Sequence, residues 1–303
     1  MNLLKIGIDL GGSHIETGLI EEDKIVDQID KNFVNKDRKN IRKVIVETAI
    51  QMINKILENN NLTKKDIEII GIASPGIISK KTIVKATNLS LEEFCLCEAL
   101  EEALGINTQI RNDAKCAALA EKKYGSLKNY EDAVFVGIGT GIGGAVFLNG
   151  QLLEPDRNEG FEIGHMIIEA NGRPCSCGKR GCFETYASIR ALKQRVTNIL
   201  GISSDISGQY LRENLLILDN KEVQDEVESF LNYLKIGLGN LIDIFEPEAI
   251  CLGGSFAYYE GNPILDRLRE KIKESDATFT NSKTPDILTA HFKNDAGIIG
   301  ATI

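Results

Sequence analysis

The sequence predicts a two-lobed α/β protein, and three observations lead there. The chain has 303 residues, more than one hydrophobic core usually serves. Short runs rich in β-branched residues alternate with segments of helical period. One local pattern, strand, glycine loop, strand, turn, strand, occurs twice, near the start and near the middle of the chain.

The elements follow in order. Leu4–Leu10 is an apolar-rich strand, Gly11-Gly12-Ser13 a tight loop, 15–20 a second strand, Glu21-Glu22-Asp23 a turn and 24–29 a third strand. Ile41, Val44, Ile45, Thr48, Ala49, Met52, Ile53 and Ile56 then fall at helical spacing, opposite a polar face. Residues 67–73 form a buried strand closed by Ser74-Pro75-Gly76. A helix is predicted over 91–104, with Gly105 as its C-cap. A short strand at 106–110 and a helix over 114–124 complete the first half.

The opening pattern then returns. Ala133–Ile138 is a strand, Gly139-Thr140-Gly141-Ile142-Gly143-Gly144 a glycine loop, 145–148 a strand, Asn149-Gly150 a hairpin turn and 151–153 another strand. Both loops contain Gly-Gly, and Gly-Ile stands in the strand before each, so the repeat reads as an internal duplication. The second half continues with a helix over 230–245, a buried strand at 249–252 running into Gly253-Gly254-Ser255, a helix over 263–275, a strand at 287–290 and a terminal helix of small residues from 296.

Charge and composition exclude some classes. The chain carries 35 basic and 44 acidic residues, a net charge of -9, and surfaces that bind nucleic acid or membranes are basic. No apolar run approaches the roughly 20 residues of a membrane span. The first residues have no basic stretch or long apolar stretch, so a cytoplasmic protein is expected. Seven cysteines are too few and too uneven for a secreted disulfide scaffold.

Three of them form the strongest constellation. Cys175, Cys177 and Cys182, with His165 in Glu162-Ile163-Gly164-His165, supply one imidazole and three thiols, a full tetrahedral set for Zn²⁺. Gly178 and Gly181 let the loop fold back. The set leaves no open position, so the metal reads as structural; the alternative is a redox or merely buried cysteine group. The two glycine loops lie far from this cluster in sequence, so losing the metal is expected to change nucleotide binding little. Glycines let backbone N–H groups approach phosphate oxygens. Ser13 and Thr140 add hydroxyls, and Asp9 is placed to hold Mg²⁺ through water. With Gly253-Gly254 after a later strand, the loops point to a nucleotide. Arg111-Asn112-Asp113 lies at a strand-to-helix junction. A carboxylate there can take a proton from a sugar hydroxyl, although local sequence alone favours an ordinary helix cap.

Together these residues resemble the ROK family of bacterial sugar kinases and repressors, within the actin-like, hexokinase-type ATPase superfamily. The resemblance runs the whole length, through Asp9–Ser13, Ser74-Pro75-Gly76, Asn112-Asp113-Ala114, 139–144, 162–165, the signature at 175–184 and Gly253-Gly254. It implies two lobes of RNase-H-like topology with a cleft between them. The smaller lobe would take 1–115 with the helix near 295–303, the larger 116–294. It implies that Asp113 is the general base for the 6-hydroxyl of a hexose, and that Gly76, Asn112, Glu162, His165 and Glu184 contact the sugar. Asp9, Gly11, Gly12, Ser13, Thr140, Gly141, Gly253 and Gly254 match the family's nucleotide positions. ATP with Mg²⁺ and a structural zinc are implied, as is a homodimer. The chain departs from the family at Ser13-His14, where many members have threonine and lysine, and in lacking tryptophan after Asn88. Glucokinase is the expected activity, with N-acetylmannosamine, N-acetylglucosamine or fructose as alternative acceptors. The family's repressors carry a DNA-binding extension before the body, which begins here at Leu3 or Leu4, so a regulator is the lesser expectation.

Overall fold

A computed structural model describes residues 4–12, 14–32, 40–154, 161–214, 218–274 and 284–303. The chain divides into two compact units, one of Met1–Lys128, Glu154–Gly160 and Asn294–Ile303, the other of Asn129–Leu153 and Phe161–Lys293. Among the described residues no helix is long and apolar enough to cross a membrane.

In the first unit, strands β1 (Leu4–Leu10), β2 (His14–Glu21) and β3 (Lys24–Asn32) form an antiparallel meander. Helix α1 (Ile41–Asn59) follows. Its predicted stripe packs inward, except that Val44 lies exposed at the rim. Strand β4 (Ile67–Ser74) pairs parallel with β1. After β5 (Ile77–Ser79), β6 (Thr82–Ala86), β7 (Leu91–Phe94) and α2 (Leu96–Leu104), strand β8 (Thr108–Asn112) pairs parallel with β4 and leads directly into α3 (Asp113–Lys123). The sheet order is β3-β2-β1-β4-β8.

The helix expected over 91–104 is a strand followed by a helix. β7 pairs antiparallel with β6, Ala86 opposite Leu91 and Ile83 opposite Phe94, and completes a small third sheet, β5-β6-β7. Leu91 and Phe94 are both buried at a spacing of three, which a helix would also give. The strand achieves it by twisting at Glu93, whose φ is 44°. Cys95 is therefore the residue before α2, not part of it.

The second unit repeats the plan. β9 (Ala133–Ile138) and β10 (Ile142–Leu148) form a hairpin around the second glycine loop, with β11 (Gln151–Leu152) beside β10. Helices α4 (Phe183–Ala187), α5 (Ile189–Leu200), α6 (Gly208–Asn214) and α7 (Lys221–Phe245) precede β12 (Ala249–Gly253). Helix α8 (Pro263–Lys273) and β13 (Asp286–Thr289) complete it. α7 begins nine residues before the predicted start, capped by Asn220, whose side chain accepts from Val223 N. The sheet order is β11-β10-β9-β12-β13, with β9, β12 and β13 parallel. Strand for strand this is the order of the first sheet, which supports the duplication. β9 and β12 are buried on both faces, which is why they read as continuous apolar runs.

Helix α9 (Ala296–Ala301) returns to the first unit and is wholly buried. It lies against α3, β1 and β4 through glycines on both sides: a Cβ at Gly300 would overlap Cys116 O, and one at Gly71 would overlap Ala301 O. Lys5 Nζ and Gln109 Nε2 donate to Thr302 O and Ala301 O at 3.0 and 2.7 Å, satisfying carbonyls at its C-terminal end.

Candidate active site and metal centre

Within the first unit, Asp9 lies near the end of β1, with Glu16 opposite on β2. The first turn of α9 backs it, since a Cβ at Gly297 would stand 2.7 Å from Asp9 Oδ2. Burial, then the charges of Asp113 and Glu16, push the Asp9 carboxyl up to about 7. Burial and the two neighbouring carboxylates all disfavour its charged form, and a cation placed there would restore it. The His14 imidazole lies against Gly11, where a Cβ would collide with the ring. Gly12 follows, packed near Asn88; Ser13 lies outside the described residues.

Gly76 has φ +92°, and a side chain there would strike Lys85 O, so the turn after β4 needs glycine. Its carbonyl accepts from Asn112 Nδ2 at 3.2 Å. Asn112 also caps α3, its Oδ1 accepting from Ala114 N at 3.0 Å. The capping task at this junction therefore falls to Asn112. Asp113 is the exposed first residue of α3, with Oδ1 accepting from Ala114 N at 2.8 Å. The structure thus brings Asp9, Gly76, Asn112 and Asp113 into one region of the first unit. Lys115, almost fully buried, pairs with Glu154 at 3.6 Å. No spacing in the sequence announces that pair.

In the second unit, a 3₁₀ turn at Ile163–His165 follows Glu162. The four metal-binding candidates converge: one ligand atom from each of His165, Cys175, Cys177 and Cys182 lies within 4.8 Å of all the others. Cys175 Sγ is 3.6 Å from His165 Nδ1, and Cys177 Sγ is 3.6 Å from Cys182 Sγ. A tetrahedron with Zn–S bonds of about 2.3 Å has edges of about 3.8 Å, close to the two separations of 3.6 Å. Nδ1 is turned toward the sulfurs, so Nε2 is on the far side of the ring. The loop is shaped by Gly181, with φ +83° and a Cβ position filled by Glu169 O. Burial pushes the Cys182 thiol up to about 12, whereas the Lys179 backbone N–H lowers Cys177. Protein groups also clasp the loop: Tyr186 OH accepts from Arg173 N at 2.6 Å, and the Arg173 guanidinium lies 4.6 Å from the Tyr186 ring centre.

α4 starts directly after Cys182 and carries Glu184 to the second glycine loop. Glu184 Oε2 accepts from Ile142 N at 2.9 Å, and Arg190 Nη2 lies 3.6 Å from Glu184 Oε1. Arg190 N donates to Gly139 O at 3.2 Å. Gly253 and Gly254 end β12 beside this loop, with Gly254 backed on Ile138 and Ser255 Oγ within 3.7 Å of where a Gly139 Cβ would stand. Thr140 and Gly141 form the tip. The metal cluster and the glycine loop, distant in sequence, therefore adjoin. That removes the ground for expecting metal loss to leave nucleotide binding untouched.

The chain matches the family model of the ROK family from residue 5 to residue 303. The chain belongs to the ROK family. Its fold is that of the actin-like ATPases. This ROK protein is 28% identical to a glucokinase of Halalkalibacterium halodurans over 311 residues, 97% of this chain and 92% of the relative. It is 31% identical to the xylose repressor of Bacillus subtilis over 269 residues, 88% of this chain and 68% of the repressor. The ROK family glucokinase of Streptomyces griseus, solved with glucose and AMPPNP, superposes with a TM-score of 0.80 at 26% identity, covering 99% of this chain and 98% of that one.

Proposed function

We propose that this ROK protein is a sugar kinase that moves the γ-phosphoryl group of ATP to the 6-hydroxyl of a hexose, with glucose as the first acceptor to test. The observation that carries the reading is the exposed carboxylate of Asp113 at the head of α3, next to the cap residue Asn112 and close enough to buried Asp9 to raise its pKa. Likeness to glucokinases over nearly the whole chain supports it.

Asp113 takes the proton of the sugar hydroxyl as its oxygen attacks phosphorus, and the leaving group is ADP. Asp9 would hold the Mg²⁺ of MgATP, which would neutralise charge on the transferred phosphoryl group. Gly11, Gly12 and the Ser13 hydroxyl in the first unit, and the Thr140 hydroxyl, Gly141, Gly253 and Gly254 in the second, bind the nucleotide. Gly76, Asn112, Glu162, His165 and Glu184 hold the sugar hydroxyls. His165, Cys175, Cys177 and Cys182 hold zinc, which supplies folding energy to the loop and takes no part in the transfer. The lobe of 1–115 with 295–303 supplies the base, and that of 116–294 the second phosphate loop. The protein works as a cytoplasmic homodimer.

ADP release measured over a panel of hexoses, N-acetylhexosamines and xylose tests this reading. Turnover with one hexose far above the rest supports it, and the preferred sugar names the acceptor. Tight sugar binding without ADP release on any sugar would overturn it in favour of a sugar-sensing regulator, the reading that likeness to the xylose repressor favours.

A further inference from the structure

The second glycine loop is held at both flanks by one short stretch of chain. Ile142 N donates to the Glu184 carboxylate, and Gly139 O accepts from Arg190 N. Between these anchors only Thr140 and Gly141 are left to shape the tip. A Cβ at Gly141 would overlap Glu184 Oε2, so loop and carboxylate are in direct contact. Glu184 is itself 15% exposed and braced by Arg190. Its helix, α4, is fixed at the N-terminal end by Cys182, and Phe183 N donates to Met166 O at 2.8 Å, next to His165. Arg195 grips the other end, donating to Tyr186 O at 2.7 Å and to Thr185 O at 3.3 Å while paired with Glu226. Cys182 is thus two residues from the acceptor of Ile142 N, at the start of the same short helix.

We propose that Glu184 is a positioning residue for the second glycine loop, so that filling the His165–Cys175–Cys177–Cys182 cluster with zinc raises the affinity for nucleotide phosphate even without sugar. The inference rests on reading 139–144 as a phosphate loop. A backbone donor aimed at a phosphate must be held in place before the ligand arrives, because ordering it on binding costs affinity. Linkage makes the effect reciprocal: nucleotide raises the affinity for zinc by the same factor.

The test uses MgADP as probe with no sugar present, so that a sugar contact of Glu184 plays no part. Calorimetry compares zinc-loaded wild type, chelator-stripped wild type, Glu184→Ala and Glu184→Gln. Losing a hydrogen bond to a charged acceptor should weaken MgADP binding about tenfold in the stripped protein and in Glu184→Ala. Glu184→Gln should stay within about threefold of wild type, because its amide oxygen accepts the same bond. Hydrogen exchange at 139–144, measured without nucleotide, should speed up in the stripped protein and in Glu184→Ala. If loaded wild type fails to bind MgADP, the phosphate-loop reading fails, while the exchange arm still tests the tie. Wild-type affinity in Glu184→Ala, or Glu184→Gln as weak as Glu184→Ala, would overturn the role of Glu184. If stripping or Glu184→Ala unfolds the chain, equilibrium competition for zinc between wild type and a colorimetric chelator decides: a zinc affinity unchanged by saturating MgADP refutes the coupling.

Discussion

Lowering the pH from 8 to 6 should weaken Mg²⁺ binding at Asp9 by about tenfold. Its carboxyl is pushed up to about 7, first by burial and then by Asp113 and Glu16. Only the ionised form attracts the cation. With that midpoint, roughly ten in eleven molecules are ionised at pH 8 and about one in eleven at pH 6. The assay is a Mg²⁺ titration of the ADP-bound protein at pH 6, 7 and 8, with Asp9→Asn as the control that subtracts the nucleotide's own protonation. Asp113→Asn should move the midpoint down only in part, since burial is the larger cause. A second readout has the opposite sense. An acid whose folded pKa exceeds its unfolded value of 3.8 adds stability fully below 3.8 and loses it as pH rises through about 7, because only the folded chain holds the proton in that window. Metal-free wild type should therefore lose stability from pH 4 to 8 relative to Asp9→Asn. The ceiling is about 4 kcal/mol, reduced by the solvent contact Asp9 keeps. Mg²⁺ midpoints that move in parallel in wild type and Asp9→Asn would refute the reasoning.

Asp113→Asn should leave the fold and sugar affinity intact and lower kcat by about a hundredfold or more; single-turnover kinetics check this. Elemental analysis should find about one zinc per chain, as four donors in one tetrahedron imply. Cys177→Ala should remain soluble but lose sugar use and, because α4 reaches the glycine loop, part of its MgADP affinity, both read by calorimetry. Zinc retention should fall on acidification, since metal must displace a proton from the Cys182 thiol, held up to about 12; chelator competition at pH 6 and 8 measures it. Gly300→Ala should cost about 1–3 kcal/mol, the usual range for overpacking, because the new Cβ meets the fixed Cys116 carbonyl; thermal unfolding reports it.

Much of this was legible in the sequence because its signals are local. Glycine loops between strands, the Cys-Gly spacing of 175–182 and the apolar runs of β9 and β12 each report on their own few residues. What escaped depends on partners far along the chain. Leu91 and Phe94 suit a helix face and a twisted strand equally, and only pairing with β6 decides. Asn112 and Asp113 looked interchangeable as caps until Gly76 claimed the Asn112 amide. Nothing near Glu184 announces that Ile142, 42 positions earlier, is its donor.

The place of α9 bears on how the chain can be made. Its six residues follow the whole second unit along the chain, yet they are buried against strands β1 and β4, which precede that unit. Contacts of such separation form late, since the loop they close spans the whole second unit. During synthesis the first unit must wait with the glycine-bearing faces of β1 and β4 uncovered, while the second already holds all its own strands. Chaperone occupancy during translation should accordingly centre on the first unit and end only once α9 is released.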